Sequence, residues 1–221
     1  MSTIDGILAE SHDRGLIRKF LKGAAFLAPK SVDLPEKLVD ADGIIDVKAD
    51  GWIPLGLVTE DGYNLEEETN EDEIRSHSYG SPTRTDVTEV VRSVTVELQE
   101  SYRRDLVEFL NGADYSAVTM DEHGNVTYNV PDLPQHAEWR LLILGADGPA
   151  DDLWVMGWGF GAVKISSRDG KQLATEGAIT NSVTLKVFTD PEVGVPVKEL
   201  VGGSGVLAKA EALGFTAPVG G

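Results

Sequence analysis

Polar and apolar residues alternate most regularly over residues 86–100, DVTEVVRSVTVELQE. From Arg92 onward, Val94, Val96 and Leu98 point one way and Ser93, Thr95, Glu97 and Gln99 the other. A period of two predicts a half-buried antiparallel strand with one wet face. At ~3.4 Å per residue this stretch would span about 50 Å, whereas ordinary strands have about five or six residues.

A second long pair is predicted at Trp154 to Ser166 and Ala174 to Thr189. Ser167-Arg168-Asp169-Gly170 carries the Asp-Gly signal of a hairpin turn. In the later strand, Ile179, Val183, Leu185 and Val187 share one face and Thr180, Ser182, Thr184 and Lys186 the other. In the earlier strand, Gly157, Gly159 and Gly161 project to one side and Trp158 and Phe160 to the other. Glycine weakens a strand, so three at period two predict a close approach there, by a helix or by a neighbouring subunit's backbone. Trp139 to Gly145 is apolar on both faces and reads as a buried strand. Trp52 to Val58 reads as the first core strand, with Pro54 holding it to an edge. Glu73 to Tyr79 reads as a strand before a turn at Gly80-Ser81-Pro82, and Ala117 to Val130 as a small hairpin.

Helical spacing is rarer. Ser101 precedes YRRDLVEFLNG, where Tyr102, Leu106, Phe109 and Leu110 form one apolar stripe and Gly112 a terminator. A short helix near Val206 to Leu213 has Ser204 as its cap, Gly214 as its end and Phe215 as a closing contact. Residues 1–50 read as an N-terminal arm with a short helix over His12 to Leu21. The chain thus divides into the arm, a β domain over 51–201 (with a helix at 101–111), and a C-terminal helix and tail over 202–221. The fold class is mainly β with flanking helices (α+β), a β-sandwich or half-barrel with two long hairpins.

Composition narrows the function. The 221 residues bury a substantial core without a staple, and there is no cysteine for a disulfide or thiolate metal site. The opening MSTIDGILAESHDRG has no apolar signal core, and no run approaches the ~20 apolar residues of a membrane helix. A net charge of -18 argues against a conventional nucleic-acid reader. The acid concentrates between Glu60 and Glu73, where no Lys or Arg occurs, and reads as a solvated loop.

No catalytic, cofactor or metal constellation is predicted. His12, His77, His123 and His136 are scattered. Asp40-Ala41-Asp42-Gly43 opens like a calcium loop, but its Gly comes at the fourth position and Gly51 stands where the closing Glu belongs. Gly157, Gly159 and Gly161 lack the spacing of a dinucleotide fingerprint, and Gly202-Gly203-Ser204-Gly205 lacks the Lys of a phosphate loop.

Three stretches together are similar to a known family. They are GWIPLGLVTEDGYNLEEE, SYGSPTRTDVTEVVRSVTVELQES and WGFGAVKISSRDGKQLATEGAITNSVTLKVFTDPEVG. They resemble the major tail tube proteins of long-tailed, non-contractile bacteriophages (siphophages), especially those of actinobacterial hosts. The resemblance covers roughly residues 50–190 and lies in the order of elements. It implies a virion protein made in the host cytoplasm. Hexameric rings would complete an inner β-barrel, stack helically around a tape measure protein, end at a tail terminator, and later pass DNA without reading its sequence. It also implies a smooth tube, since the chain is short for an added immunoglobulin-like domain.

On that resemblance the wet faces line the bore: Thr95, Glu97, Gln99, Thr180, Ser182, Thr184 and Lys186, a polar set without a basic row. The acidic segment contacts the next ring through Glu66, Glu67, Glu68, Glu71 and Asp72, with Arg14, Arg18, Lys19 and Lys22 of a stacked copy as partners. Alternatives are another tail ring protein (terminator or connector), or a β-sandwich carbohydrate-binding or adhesion module. Pattern alone also allows the wet faces simply to meet solvent.

Overall fold

The computed structural model describes residues 3, 4, 8, 11–40, 43, 44, 47, 51–171, 173 and 175–216. Its strands are β1 (Lys22–Ala28), β2 (Val39–Asp40), β3 (Gly43–Ile44), β4 (Ile53–Pro54), β5 (Val58–Ile74), β6 (Arg84–Leu98), β7 (Trp139–Asp147), β8 (Trp154–Arg168), β9 (Asn181–Phe188) and β10 (Val197–Gly202). Its helices are α1 (Arg104–Asn111) and α2 (Ser204–Ala208). One antiparallel sheet runs in the order β4-β1-β7-β8-β9-β6-β5, with β10 also on β8, and β2 and β3 form a separate ribbon. The chain is mainly β with flanking helices, as its alternation predicts.

Strand β8 organises the sheet. Its first half pairs with β7 and β10, and its second half with β9. An irregularity lies opposite Trp139–Leu141. There the alternation of core side chains switches phase, from Phe160 to Val163 and Ile165. The β9-β6-β5 half therefore packs its apolar face over the β1-β7-β8 half, with Val94, Val96, Leu98, Val183 and Leu185 against Leu27, Leu141, Ile143 and Phe160. Helix α1 contributes Leu106, Phe109 and Leu110 to the same core. Gly112 takes the left-handed conformation (φ 57°) that ends α1, its N–H donating to Glu108 O and Phe109 O.

A second cluster covers the opposite face of the β1-β7 half, with Phe26, Ala28 and Leu142 under Leu34, Val47 and Trp52. This explains the three glycines. A Cβ on Gly157 would lie 2.9 Å from Leu38, one on Gly159 3.2 Å from Leu34, and one on Gly161 2.9 Å from the Cβ of Asp190. What approaches is the chain itself, through residues 34–38 at Gly157 and Gly159 and residues 190–193 at Gly161, and not a helix.

Several local expectations are revised. Lys22–Ala28, read within the arm, is a core strand carrying buried Ala25, Phe26, Leu27 and Ala28; its short AAFLA run has no polar alternation to mark it. The helix expected over His12 to Leu21 is a 3-10 turn at Arg14–Leu16. The acidic segment 60–73, expected as a loop, lies in β5, because β6 provides a hydrogen-bonding template along it. The strand expected at Glu73 to Tyr79 ends at Ile74. Residues 117–130 form no strand; Asp121 instead folds a turn by accepting from the N–H groups of His123 and Asn125. The tight turn expected at 167–170 is a longer connection, since β8 runs to Arg168 and β9 begins at Asn181. Ser101 does not cap α1, which starts at Arg104, and Tyr102 is exposed. Ser204 starts α2 rather than capping it, and Phe215 is exposed rather than closing a contact. Most of 41–50, including Asp42 of the calcium-like tetrapeptide, lies outside the described residues, as does Ala174.

Candidate assembly surface

The two long hairpins join through β6 and β9, which sets four strands side by side in the order β5-β6-β9-β8. Their apolar side chains face the core, so their polar ones gather on the outer face. Thr95 opposes Thr184 with the two hydroxyl oxygens 3.1 Å apart. Glu97 opposes Ser182 and accepts a hydrogen bond from the Thr180 hydroxyl. Gln99 lies just past β6 and, with Thr59, Glu97 and Thr180, lines a cleft of about 300 Å³. Lys186 opposes Ser93, and Ser93 opposes Glu66. Thr95, Glu97, Ser182, Thr184 and Lys186 therefore stand on one face of the β6-β9 pair.

The structure adds Lys164. It is the cross-strand partner of Lys186, so this face carries two lysines at opposed positions. The sequence pattern missed this because the glycine run dominates the reading of β8. The alternation Val163-Lys164-Ile165-Ser166 was the available signal.

The β5-β6 hairpin outruns the body. Residues 64–74 and 84–89 are all exposed. Eight residues of β5, from Glu67 to Ile74, lie beyond the last pairing of β6 with β9 and at ~3.4 Å each make an extension of about 27 Å. Arg92 Nε reaches Glu67 Oε2 at 2.7 Å across the two strands, Arg84 pairs with Asp86 at 2.6 Å and Arg75 with Glu73 at 2.8 Å. Glu68, Glu71 and Asp72 make an acidic stripe that runs along both faces of β5, with no such cation among the described residues. Beyond these charges, strand β5 is the terminal strand of the sheet, with no strand among the described residues on its outer edge.

Of the four cations expected to meet that stripe, Arg18 is already committed within the chain. It bonds Asp152 at 3.2 Å and Gly15 O at 2.6 Å, and its guanidinium lies 4.2 Å from the centroid of the Trp154 ring. Its guanidinium is thus stacked and paired within the chain. Arg14, Lys19 and Lys22 remain exposed.

Other ionic contacts tie outlying segments to the sheet. Arg140 on β7 is 1% exposed and reaches Val32 O, Asp33 at 3.2 Å and Glu192 at 3.4 Å, which clamps the covering segment to the sheet. Asp190 is fully buried beside Gly161. Burial alone would raise its pKa, but the Glu192 N–H and the Lys30 ammonium outweigh that and hold it below the ordinary carboxylate value. Hydrogen bonds to Glu138 and Asp190 raise Lys30 in turn. Asp13 is lowered by its bond to Lys209, which links the first turn to the chain's C-terminal part.

A cavity of about 370 Å³ opens between the base of β5 and the β7-β8 face, lined by Phe20, Tyr63, Leu65, Ile143 and Trp158 beside Glu60, Asp61 and Gly62. It holds no nucleophile–base pair. Among the described residues no group of three or more His, Asp or Glu side chains is placed to hold a metal, and no helix is long and apolar enough to cross a membrane.

No protein-family profile and no curated protein sequence matches this chain. Among solved structures, it is similar to a chain of the anti-feeding prophage baseplate (6-fold symmetrised), at 9% identity and a TM-score of 0.38, covering 83% of this chain and 93% of that one. It is also similar to a chain of the anti-feeding prophage tube-terminating cap, at 10% identity and a TM-score of 0.42, covering 87% of this chain and 97% of that one. At these scores neither likeness bears on what the chain does.

Proposed function

We propose that this chain is a structural virion protein, the tail tube subunit of a long-tailed bacteriophage. It assembles in the host cytoplasm as hexameric rings that stack helically around a tape measure protein, end at a tail terminator and later conduct DNA. The observation that carries the reading is strand β5: seventeen residues long, terminal in its sheet, and exposed on both faces over its outer part.

A two-stranded hairpin is marginally stable alone in water, and a long unpaired edge invites pairing. Closure through neighbouring copies removes such edges and encloses a water-filled bore. The acidic side chains of β5 discourage indiscriminate pairing, so a partner must bring hydrogen bonds and cations. Arg14, Lys19 and Lys22 of a stacked copy supply the cations in this reading. The polar face of Thr95, Glu97, Gln99, Thr180, Ser182, Thr184 and Lys186 then lines the bore. No catalytic role is part of the proposal.

Negative-stain electron microscopy of the purified protein tests it. Tubes support the reading. Single rings at high concentration would favour a terminator or connector instead. A stable monomer would favour a free β-sandwich binding module, although Trp52 and Trp154 are buried and offer no aromatic platform.

A further inference from the structure

Lys164 and Lys186 are directly opposed across β8 and β9. Both project away from the core, because their strand neighbours Val163, Ile165, Leu185 and Val187 are buried. Like charges opposed across a strand pair destabilise it. The chain has 37 acidic residues against 19 Lys and Arg. Even so, neither lysine is in an ion pair among the described residues. Glu66 stands in the same row beyond Ser93, but its carboxylate accepts from Asn64 at 2.8 Å and Ser93 at 3.4 Å. The Lys186 ammonium lies 5.9 Å from the centroid of the Phe188 ring.

We propose that Lys164 and Lys186 form a contact site for the phosphate backbone of DNA. This inference rests on the tube reading, in which a closed ring repeats the pair once per subunit as a basic belt around the bore. Lysine suits phosphate as a point charge that needs no fixed geometry. Ser93 and Thr184 flank the pair with hydroxyls. The site lies on the open face of the sheet, and Lys186 sits on a strand paired on both sides. An added peptide strand would instead dock along a free edge through its backbone. The two lysines are therefore better placed to touch a passing polyanion than to hold an acidic protein segment. Each contact adds affinity by counterion release, so the belt gives a weak, salt-sensitive drag without sequence preference.

The test titrates isotope-labelled, unassembled protein with a short DNA duplex at low salt and follows backbone amide shifts. The expected result is shifts centred on Ser93, Lys164, Lys186 and Phe188. In the Lys164→Gln/Lys186→Gln variant, affinity should fall tenfold or more, and the slope of log affinity against log salt should flatten by about 1.8, at 0.9 per contact. Shifts centred instead on Arg14, Lys19 and Lys22, an unchanged affinity in the double variant, or equal binding of a polyglutamate peptide of matched charge would each overturn the proposal. Microscopy of the same variant is read separately. Tubes from both proteins support a site that serves DNA rather than assembly; tubes from the wild type only would assign the lysines to subunit contact and end the idea. Duplex binding at the pair without wild-type tubes sinks the tube reading alone, whereas tubes without such binding sink the lysine site alone.

Discussion

Gly23 and Gly145 face one another across β1 and β7, and the ring of Phe20 lies over both. The ring also meets Tyr63 edge-on at 5.9 Å and Trp158 at 6.1 Å, which joins the first turn of the chain to the mouth of the core. A methyl group at either glycine occupies the space of that ring. Gly145→Ala should therefore displace Phe20 and cost about 1–3 kcal/mol, as overpacking does. Urea denaturation followed by tryptophan fluorescence measures this, and an unchanged midpoint would show that the ring is not seated there.

The β5-β6 extension contributes little to the core. Replacing residues 68–91 by a two-residue Asn-Gly turn, which joins the cross-strand partners Glu67 and Arg92, should leave the melting temperature within a few degrees and abolish polymerisation. Scanning calorimetry and electron microscopy read the two outcomes independently. Tubes formed by the shortened protein would remove the extension from the assembly mechanism.

The cations near the start of the chain should separate into two groups. Arg18→Ala loses an ion pair with Asp152 and the stacking on Trp154, so it should lower the melting temperature. Replacing Arg14, Lys19 and Lys22 with Gln should leave that temperature unchanged and weaken stacking. Wild-type polymerisation should likewise weaken between low and molar salt, since exposed charges are screened there. Sedimentation of polymer at a series of salt concentrations provides the measurement, and an indifferent response would dismiss the acidic stripe as a stacking contact.

Arg140 lies under the segment that covers β7. Arg140→Met keeps much of the packing but leaves the part-buried Val32 carbonyl without its donor. A loss of about 1–3 kcal/mol is expected. Faster proteolysis confined to residues 29–40 would locate the effect.

Acid should destabilise the fold through its depressed carboxylates, chiefly Asp190 and Asp13. Both have folded values below their unfolded ones. Their contribution is complete above about pH 4 and is lost as pH falls through the lower, folded values. Lys30 has the opposite sign: its contribution holds below the ordinary lysine pKa and is lost only as pH rises through its raised value. Thermal melts across acid pH should show this loss, and Asp190→Asn should flatten it.

The alternation along β6, β8 and β9 and the unbroken apolar run of β7 were legible from sequence, because burial of one or both faces imposes those patterns locally. The wet face was legible for the same reason: Thr95, Thr184 and Lys186 follow from counting by two. The neighbours of these residues were not. Lys164 meets Lys186 only through the register of β8 on β9 and the phase switch that precedes it, and neither is a local property. The acidic segment read as a loop because charge suggests solvent, yet a partner strand makes exposed acid extended. Lys22–Ala28 read as part of an arm because a short apolar run has no period to show; its place between β4 and β7 was decided by the strands that flank it. The sequence by itself therefore determined which positions of β6, β7 and β9 avoid water. Which of the remaining positions stand together, and so what a partner would meet, was decided by long-range strand pairing.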